Sequence, residues 1–390
     1  MKGDSSATGS DFVVFGAPQI QEEEIEAVCA TLRSGWIGTG PRVAQFEEEI
    51  CAYKQCSSAA AVSSCTAAMH LSMLAAGIGP GDEVITTAMT FCATTNAIIH
   101  AGATPVLVDV DPSTMNIDPA AVEAAITPKT KGILPVHFAG RCCDMDALMS
   151  LVERHNLLMI EDCAHAVESE YHGKKAGTFG DFGCLSFYVT KNVTTAEGGM
   201  VLAKDKEHID QIKILALHGM SKDAWSRYSD KGYRHYFVTT AGFKFNMTDI
   251  QASLGIHQLK RVQNNWERRQ VIWNRYQDAF KDLPITLPAD PEPDTVHAYH
   301  LYTILIGDEA PLSRDEFLDA STKNGIGTGV HYMSIPEHPF YQESFGWKPE
   351  MFPNAMRIGR QTVSLPLSAK ISDDEVERVI ASTISLLTKA

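Results

Sequence analysis

The chain has 390 residues, carries 33 Lys+Arg against 48 Asp+Glu for a formal charge of −15, and is 44% hydrophobic. This length suggests two or three domains and a core that needs no disulfide or metal staple, and 21% charged residues marks a globular rather than a disordered chain. The acidic balance argues against nucleic acid or an anionic membrane as the main partner, since both need Lys/Arg patches, and no run of about 18 apolar residues offers a bilayer span.

Residues 1–12 lack the apolar stretch of a signal peptide and read as a disordered tail. Residues 13–203 then alternate short apolar runs with helical patterns. The runs are 83–86 (EVIT), 105–110 (PVLVDV), 132–137 (GILPVH), 157–162 (LLMIED), 183–188 (GCLSFY) and 199–203 (GMVLA). They are rich in Val, Ile and Leu without strict alternation, as strands buried on both faces are. Helical patterns fall at 65–76, 92–100, 119–126 and 145–155, the third opening with the cap pair Asp118-Pro119. Repeated strand–helix–strand order predicts an α/β fold with a mostly parallel sheet. One long helix is expected over 247–280, then a Pro/Asp-rich loop at 287–294. Beyond it, a strand at 300–306, a helix at 313–323, a short strand at 328–331 and a closing helix at 372–387 form a smaller α+β unit. The expected division is a large α/β domain over 13–262 and a small domain over 263–390. Nine cysteines, all between Cys29 and Cys184, include no C-x-x-C pair. Reduced thiols in a cytoplasmic protein, and no metal site, are the expectation.

Ligands of doubly wound sheets sit beyond the carboxyl ends of the strands, so the residues that follow the apolar runs carry the functional information. Asp162 ends one run. A carboxylate there needs a cationic partner such as a protonated pyridine nitrogen, or else it caps a helix. Lys191 follows another run and precedes Gly198-Gly199. In a partly apolar site its amine is a nucleophile able to form a Schiff base; otherwise it is a solvated surface lysine. Ser186, five residues upstream, can give its hydroxyl to a phosphate. Ser64, Cys65, Thr66 and Ala67 open a helix, where free N–H groups cradle phosphate or an ordinary N-cap forms. Phe91 follows the EVIT run and either stacks on a flat ring or packs in the core. Asn246 precedes the long helix and either reaches a phosphate or caps that helix. Each segment is weak, but the set in chain order is what pyridoxal 5′-phosphate requires: a lysine for its aldehyde, a carboxylate for its ring nitrogen, hydroxyls and helix N–H groups for its phosphate.

The segments SSCTAAMHL, GDEVIT, IEDCAHAV, SFYVTKN, AEGG, GFKFNMTDIQASLG and GIGTGVHY resemble the DegT/DnrJ/StrS-type nucleotide-sugar aminotransferases, from about residue 15 to residue 387. The residues 34–41 (SGWIGTGP), His165 and 325–331 (GIGTGVH) resemble the branch that makes UDP-4-amino-4-deoxy-L-arabinose. The resemblance implies fold type I of the pyridoxal phosphate enzymes, a homodimer with shared active sites, glutamate as amino donor, and pyridoxamine phosphate as the alternate cofactor form. It implies that Lys191 holds the cofactor, Asp162 its ring nitrogen, and Thr66, Ala67 and Ser186 its phosphate. Asn246 would reach that phosphate from the partner subunit, Phe91 would stack on one ring face, and His165 would lie under the ring or near its 3′-oxygen. Substrate contacts would come from Trp36, from Arg227, Tyr228, Arg234 and His235 in the aromatic, locally basic 220–240 segment, and from His331. Cys65 in place of Gly or Ala, Phe91 in place of Trp, and Tyr188 in place of His depart from the pattern. They bear on the sugar rather than on the cofactor.

Overall fold

The computed structural model describes residues 12–221 and 235–388. In chain order, helices α1 (Glu22–Ser34) and α2 (Pro41–Lys54) precede strand β1 (Ser58–Val62). Then come α3 (Cys65–Ala75), β2 (Glu83–Thr87), α4 (Cys92–His100), β3 (Thr104–Val108), α5 (Pro119–Ala124), β4 (Thr130–Leu134), α6 (Met145–His155) and β5 (Leu158–Asp162). The short β6 (Glu170–Tyr171) and β7 (Lys174–Lys175) lead to β8 (Phe182–Ser186), β9 (Gly199–Ala203) and α7 (Lys206–Leu215).

Seven strands form the main sheet in the order β1-β9-β8-β5-β4-β2-β3. The β8-β5-β4-β2-β3 run is parallel, and β9 lies antiparallel between β8 and β1. This is the α/β, mostly parallel architecture expected from the alternating runs, and it agrees with the fold type I that the resemblance implies. Both faces are covered, which is why β9 is buried at every position. Helix α3 is apolar nearly all round and runs through the core, with Ala68, Leu71 and Met73 fully buried.

The second unit follows helices α8 (Asp249–Lys260) and α9 (Val262–Phe280). The single long helix expected over 247–280 is therefore two. Arg261, at φ −100° and ψ 2°, breaks it, and the preceding helix opens on a Thr248/Gln251 capping box. We propose this break as the domain boundary. Strand β10 (Thr295–Val296) joins β6 and β7 in a small sheet, and β11 (Tyr302–Leu305) pairs antiparallel with β12 (Thr362–Leu365). Helices α10 (Arg314–Lys323), α11 (Pro339–Phe345), α12 (Pro353–Gln361) and α13 (Asp373–Leu387) complete the unit. Its core gathers Trp273, Tyr276, Phe280, Tyr302 and Phe317. Val13 packs in that same core and bridges Ile326, so this residue lies on the second unit rather than the first. The strand expected over 328–331 is only a bridge between Gly329 and Ser364. Among the described residues no helix is long and apolar enough to cross a membrane.

Candidate active site

The carboxyl ends of the parallel strands open onto a cavity of about 410 Å³. Ser64 (after β1), Phe91 (after β2), Val136 (after β4), Asp162 (ending β5) and Ser186 (ending β8) all line it, with Lys191 on the loop between β8 and β9. This is where doubly wound sheets place their ligands.

Asp162 is buried, at 4% exposure. One of its oxygens accepts the Ala164 N–H at 3.0 Å and faces the Cys65 thiol at 3.8 Å; the other accepts the Thr94 hydroxyl at 2.9 Å. Burial raises its pKa, against the hydrogen bonds from Ala164 and Thr94 and the charge of Lys191, which lower it. No helix follows it, so helix capping is not its role. The strand that carries it is anchored one residue earlier. Glu161, fully buried, accepts the N–H groups of Gly177, Phe179 and Gly180 at 2.7–2.8 Å and faces His137 Nε2 at 3.1 Å. Burial opposes its charge, but these bonds hold its pKa below the usual carboxylate value. The Cys143 N–H donates to His137 Nδ1, so the imidazole proton sits on Nε2 and points at Glu161. Ligand atoms of His137, Glu161 and Cys163 fall within 4.8 Å of one another, but Glu161 already has four donors.

Lys191 borders the same cavity. Burial lowers its amine to about 8, against upward pulls from Asp162 and Cys65. Its neighbour Asn192 is locked in place: Nδ2 donates to Glu168 at 2.9 Å and to the Ala298 carbonyl at 3.1 Å, and Oδ1 meets His300 Nδ1 at 2.9 Å. Glu168 in turn pairs with the buried Arg269 of α9.

At the start of α3, Ser64 is the N-cap and its hydroxyl accepts the Ala67 N–H at 3.0 Å. That occupies Ala67, so the free cradle is the N–H groups of Cys65 and Thr66, with the Thr66 and Ser186 hydroxyls beside them. The cradle is open because residue 199 is glycine. A Cβ there would lie 2.4 Å from the Ser64 carbonyl carbon and 2.6 Å from the Cys65 nitrogen.

Phe91 is 56% exposed and lines the cavity, so core packing is not its role. His165 is buried and its pKa falls well below the ordinary histidine value, through burial first and then the charge of Lys191. His331 also lines the cavity, held by Ser364 at 2.8 Å, and burial lowers it to about 4.

Three expected residues lie elsewhere. Asn246 donates to the Thr39 hydroxyl at 2.7 Å, outside its own chain's cavity, and Thr248 rather than Asn246 caps α8. Trp36 is 56% exposed and donates to the Thr39 carbonyl at 3.2 Å. His235 is exposed and outside the cavity. Arg227, Tyr228 and Arg234 lie outside the described residues. Sequence reasoning missed Thr94, Glu161, Asn192, His300 and Tyr332. Only Glu161 carried a signal, as a second acid at the end of an apolar run.

The residues present fit pyridoxal phosphate. A buried carboxylate without an ion-pair partner among the described residues faces the same space as a lysine of lowered pKa, and a cradle that any Cβ at position 199 would fill lies beside them.

The chain is 47% identical over 381 residues to the spore coat polysaccharide biosynthesis protein SpsC of Bacillus subtilis (strain 168), covering 97% of this chain and 98% of that one. It superposes on Spr1654 from Streptococcus pneumoniae in its PMP-form with a TM-score of 0.91 at 36% identity, over 96% of this chain and 98% of that chain. It also superposes on Helicobacter pylori PseC, an aminotransferase involved in the biosynthesis of pseudoaminic acid, with a TM-score of 0.89 at 30% identity, over 97% and 99% of the two chains. A family model matches residues 18–383, and by that match the chain belongs to the DegT/DnrJ/EryC1/StrS aminotransferase family.

Proposed function

We propose that this enzyme moves an amino group from L-glutamate to a keto sugar carried on a nucleotide. The reading rests on one juxtaposition: Lys191, with its lowered pKa, opens onto the same cavity as the buried Asp162 carboxylate. Pyridoxal phosphate is the cofactor, and when bound it supplies an electron sink that makes the amino-bearing carbon acidic. Asp162 holds a proton on the ring nitrogen. Lys191 holds the cofactor through its Nζ and, once released, carries the proton that leaves the amino-bearing carbon. The helix start at Cys65 and Thr66, with Ser186, takes the phosphate. His165 and Phe91, which line the same cavity, would contact its ring.

The nucleotide and the carbon aminated are the finer part of the reading. The SGWIGTGP, His165 and GIGTGVH segments favour C-4 amination of a UDP-linked pyranose, giving a 4-amino sugar for lipopolysaccharide or another surface glycan. The alternative within the family is C-3 amination of a dTDP- or GDP-linked sugar. Asn246 and Trp36 lie outside their own chain's cavity. That placement supports a homodimer in which the partner completes the site, with Trp36, His331 and the 220–240 segment, Arg227, Tyr228, Arg234 and His235 included, reading the sugar nucleotide. A nucleotide-linked substrate and nine unpaired cysteines fit a cytoplasmic setting.

A rival reading, a pyridoxamine-dependent sugar dehydratase, has no use for a lysine at this position. The deciding experiment supplies glutamate and a panel of UDP-, dTDP- and GDP-linked keto sugars and follows 2-oxoglutarate, with products identified by mass and NMR. We expect a 4-amino sugar from a UDP-linked substrate and no turnover by Lys191→Arg. Deoxygenation without amine transfer, or full activity of Lys191→Arg, would overturn the proposal.

A further inference from the structure

Two cysteines meet where α2 ends. The helix closes on Gln55, which takes the left-handed conformation at φ 56°, and the Gln55 N–H turns back to the Cys51 carbonyl. The Cys56 N–H reaches the same carbonyl at 3.1 Å. A helix closed in this way sets two side chains five positions apart against each other, frequently as a hydrophobic contact. Here both are cysteines. The closure puts their α-carbons at about the 5.5–6 Å spacing that disulfides favour, so a bridge can form on the backbone as it stands.

The two thiols are not alike. They interact side chain to side chain, and that contact is the leading influence on each. It raises the Cys51 pKa and lowers that of Cys56, so Cys51 is the donor of the pair. Burial resists ionisation of Cys56, but the charge of Lys54 and the backbone at Ser58 and Cys56 favour it. Near Cys51, Glu47 opposes a negative charge and Lys213 favours one. Cys65, Cys142, Cys143, Cys163 and Cys184 are buried instead, and burial pushes all five thiols up. Cys51 and Cys56 are partly exposed. Cys56 also lines an opening of about 310 Å³, with Lys54, Lys174, Lys175 and Lys204, at the end of β1 away from the phosphate cradle. An accessible thiol among positive charges is a reactive one.

Nothing in this arrangement serves amino transfer. We infer that Cys51 and Cys56 form a reversible dithiol that reacts with hydrogen peroxide, Cys56 as the attacking sulfur and Cys51 as the resolving one. The Cys56 thiolate attacks one peroxide oxygen and the O–O bond breaks. The sulfur becomes a sulfenic acid, and the hydroxide released takes up the proton that Cys56 had lost, giving water. The Cys51 sulfur then attacks the sulfenic sulfur. The S–O bond breaks, the S–S bond forms, and the hydroxyl leaves with the Cys51 proton as a second water. The pair gives up two electrons and the peroxide takes them. A dithiol reductant returns them by exchange. This inference stands on the end of α2 alone and does not rest on the function proposed above.

The test uses the full-length wild-type chain, reduced, exposed to hydrogen peroxide, alkylated at its remaining thiols and digested. Trypsin cuts after Arg42 and after Lys54, so Cys51 and Cys56 fall on different peptides. We expect residues 43–54 to stay joined to the peptide that begins at Gln55, and dithiothreitol to free them. With Cys51→Ser the expected product is a Cys56 sulfenic acid trapped by dimedone. With Cys56→Ser the link is lost and thiols disappear about tenfold more slowly. A wild-type digest without the link, a link that persists in Cys56→Ser, or a link between two chains overturns the inference. So does oxidation of a buried cysteine ahead of Cys56. The wild-type digest decides the matter even where a serine variant misfolds.

Discussion

Burial brings the Lys191 amine down to about 8, although Asp162 and Cys65 pull it up. A lowered lysine pKa means that the neutral, nucleophilic form gains as pH rises through that value, whereas an ordinary lysine stays charged to about 10.4. The rate at which apoprotein captures pyridoxal phosphate should therefore rise up to about pH 8 and level off above it. Stopped-flow absorbance across pH 6–10 reads this directly; a rate still climbing at the top of that range would mean a solvated amine. Lys191 and Asp162 were legible in the sequence because strand ends are where sheets of this kind put their chemistry, and both residues follow apolar runs. Tyr332 was not legible. It sits in a loop of the second unit, and only the tertiary fold brings it to His165, 167 positions away in the chain.

At the scale of elements, the phosphate cradle depends on two segments touching. The first residue of β9, Gly199, lies beneath the start of α3 so closely that any Cβ would strike backbone atoms of Ser64 and Cys65. Backbone cannot move aside as a flexible side chain can. Gly199→Ala should cost about 1–3 kcal/mol of stability and displace the helix start. Cofactor affinity should then fall by more than the stability loss explains, as judged by equilibrium titration beside thermal unfolding. The sequence showed β9 as an apolar run but not β1. The residues of β1 are Ser-Ala-Ala-Ala-Val, with too little β-branched or bulky character to stand out from a helix. It is a strand because β9 pairs with it along its whole length. The break at Arg261 escaped for a similar reason: the residues on both sides favour helix, and packing decides where the turn comes.

Across the molecule, Glu168 and Arg269 tie the loop after β5 to helix α9, with side chains 4% and 3% exposed. The same carboxylate holds Asn192, next to Lys191. Glu168→Ala would strand a buried guanidinium, and we expect a loss of about 3–5 kcal/mol in denaturant unfolding. Replacing both partners, as Glu168→Leu with Arg269→Met, should recover much of that loss, because no charge is then left buried and unpaired. If the double replacement unfolds as readily as the single one, the ion pair itself contributes the stability.

The antiparallel strand next to the sheet's edge also bears on how the protein is made. β1 ends at Val62, yet its partner β9 spans Gly199–Ala203 and reaches the ribosome exit only after everything between them has been translated. Until then an alanine-rich edge and a helix start wait without a neighbour, exposed to chaperones and to other nascent chains. The pocket therefore cannot be assembled piecemeal from the N-terminus, and ribosome-stalled chains ending before residue 199 should hold no cofactor.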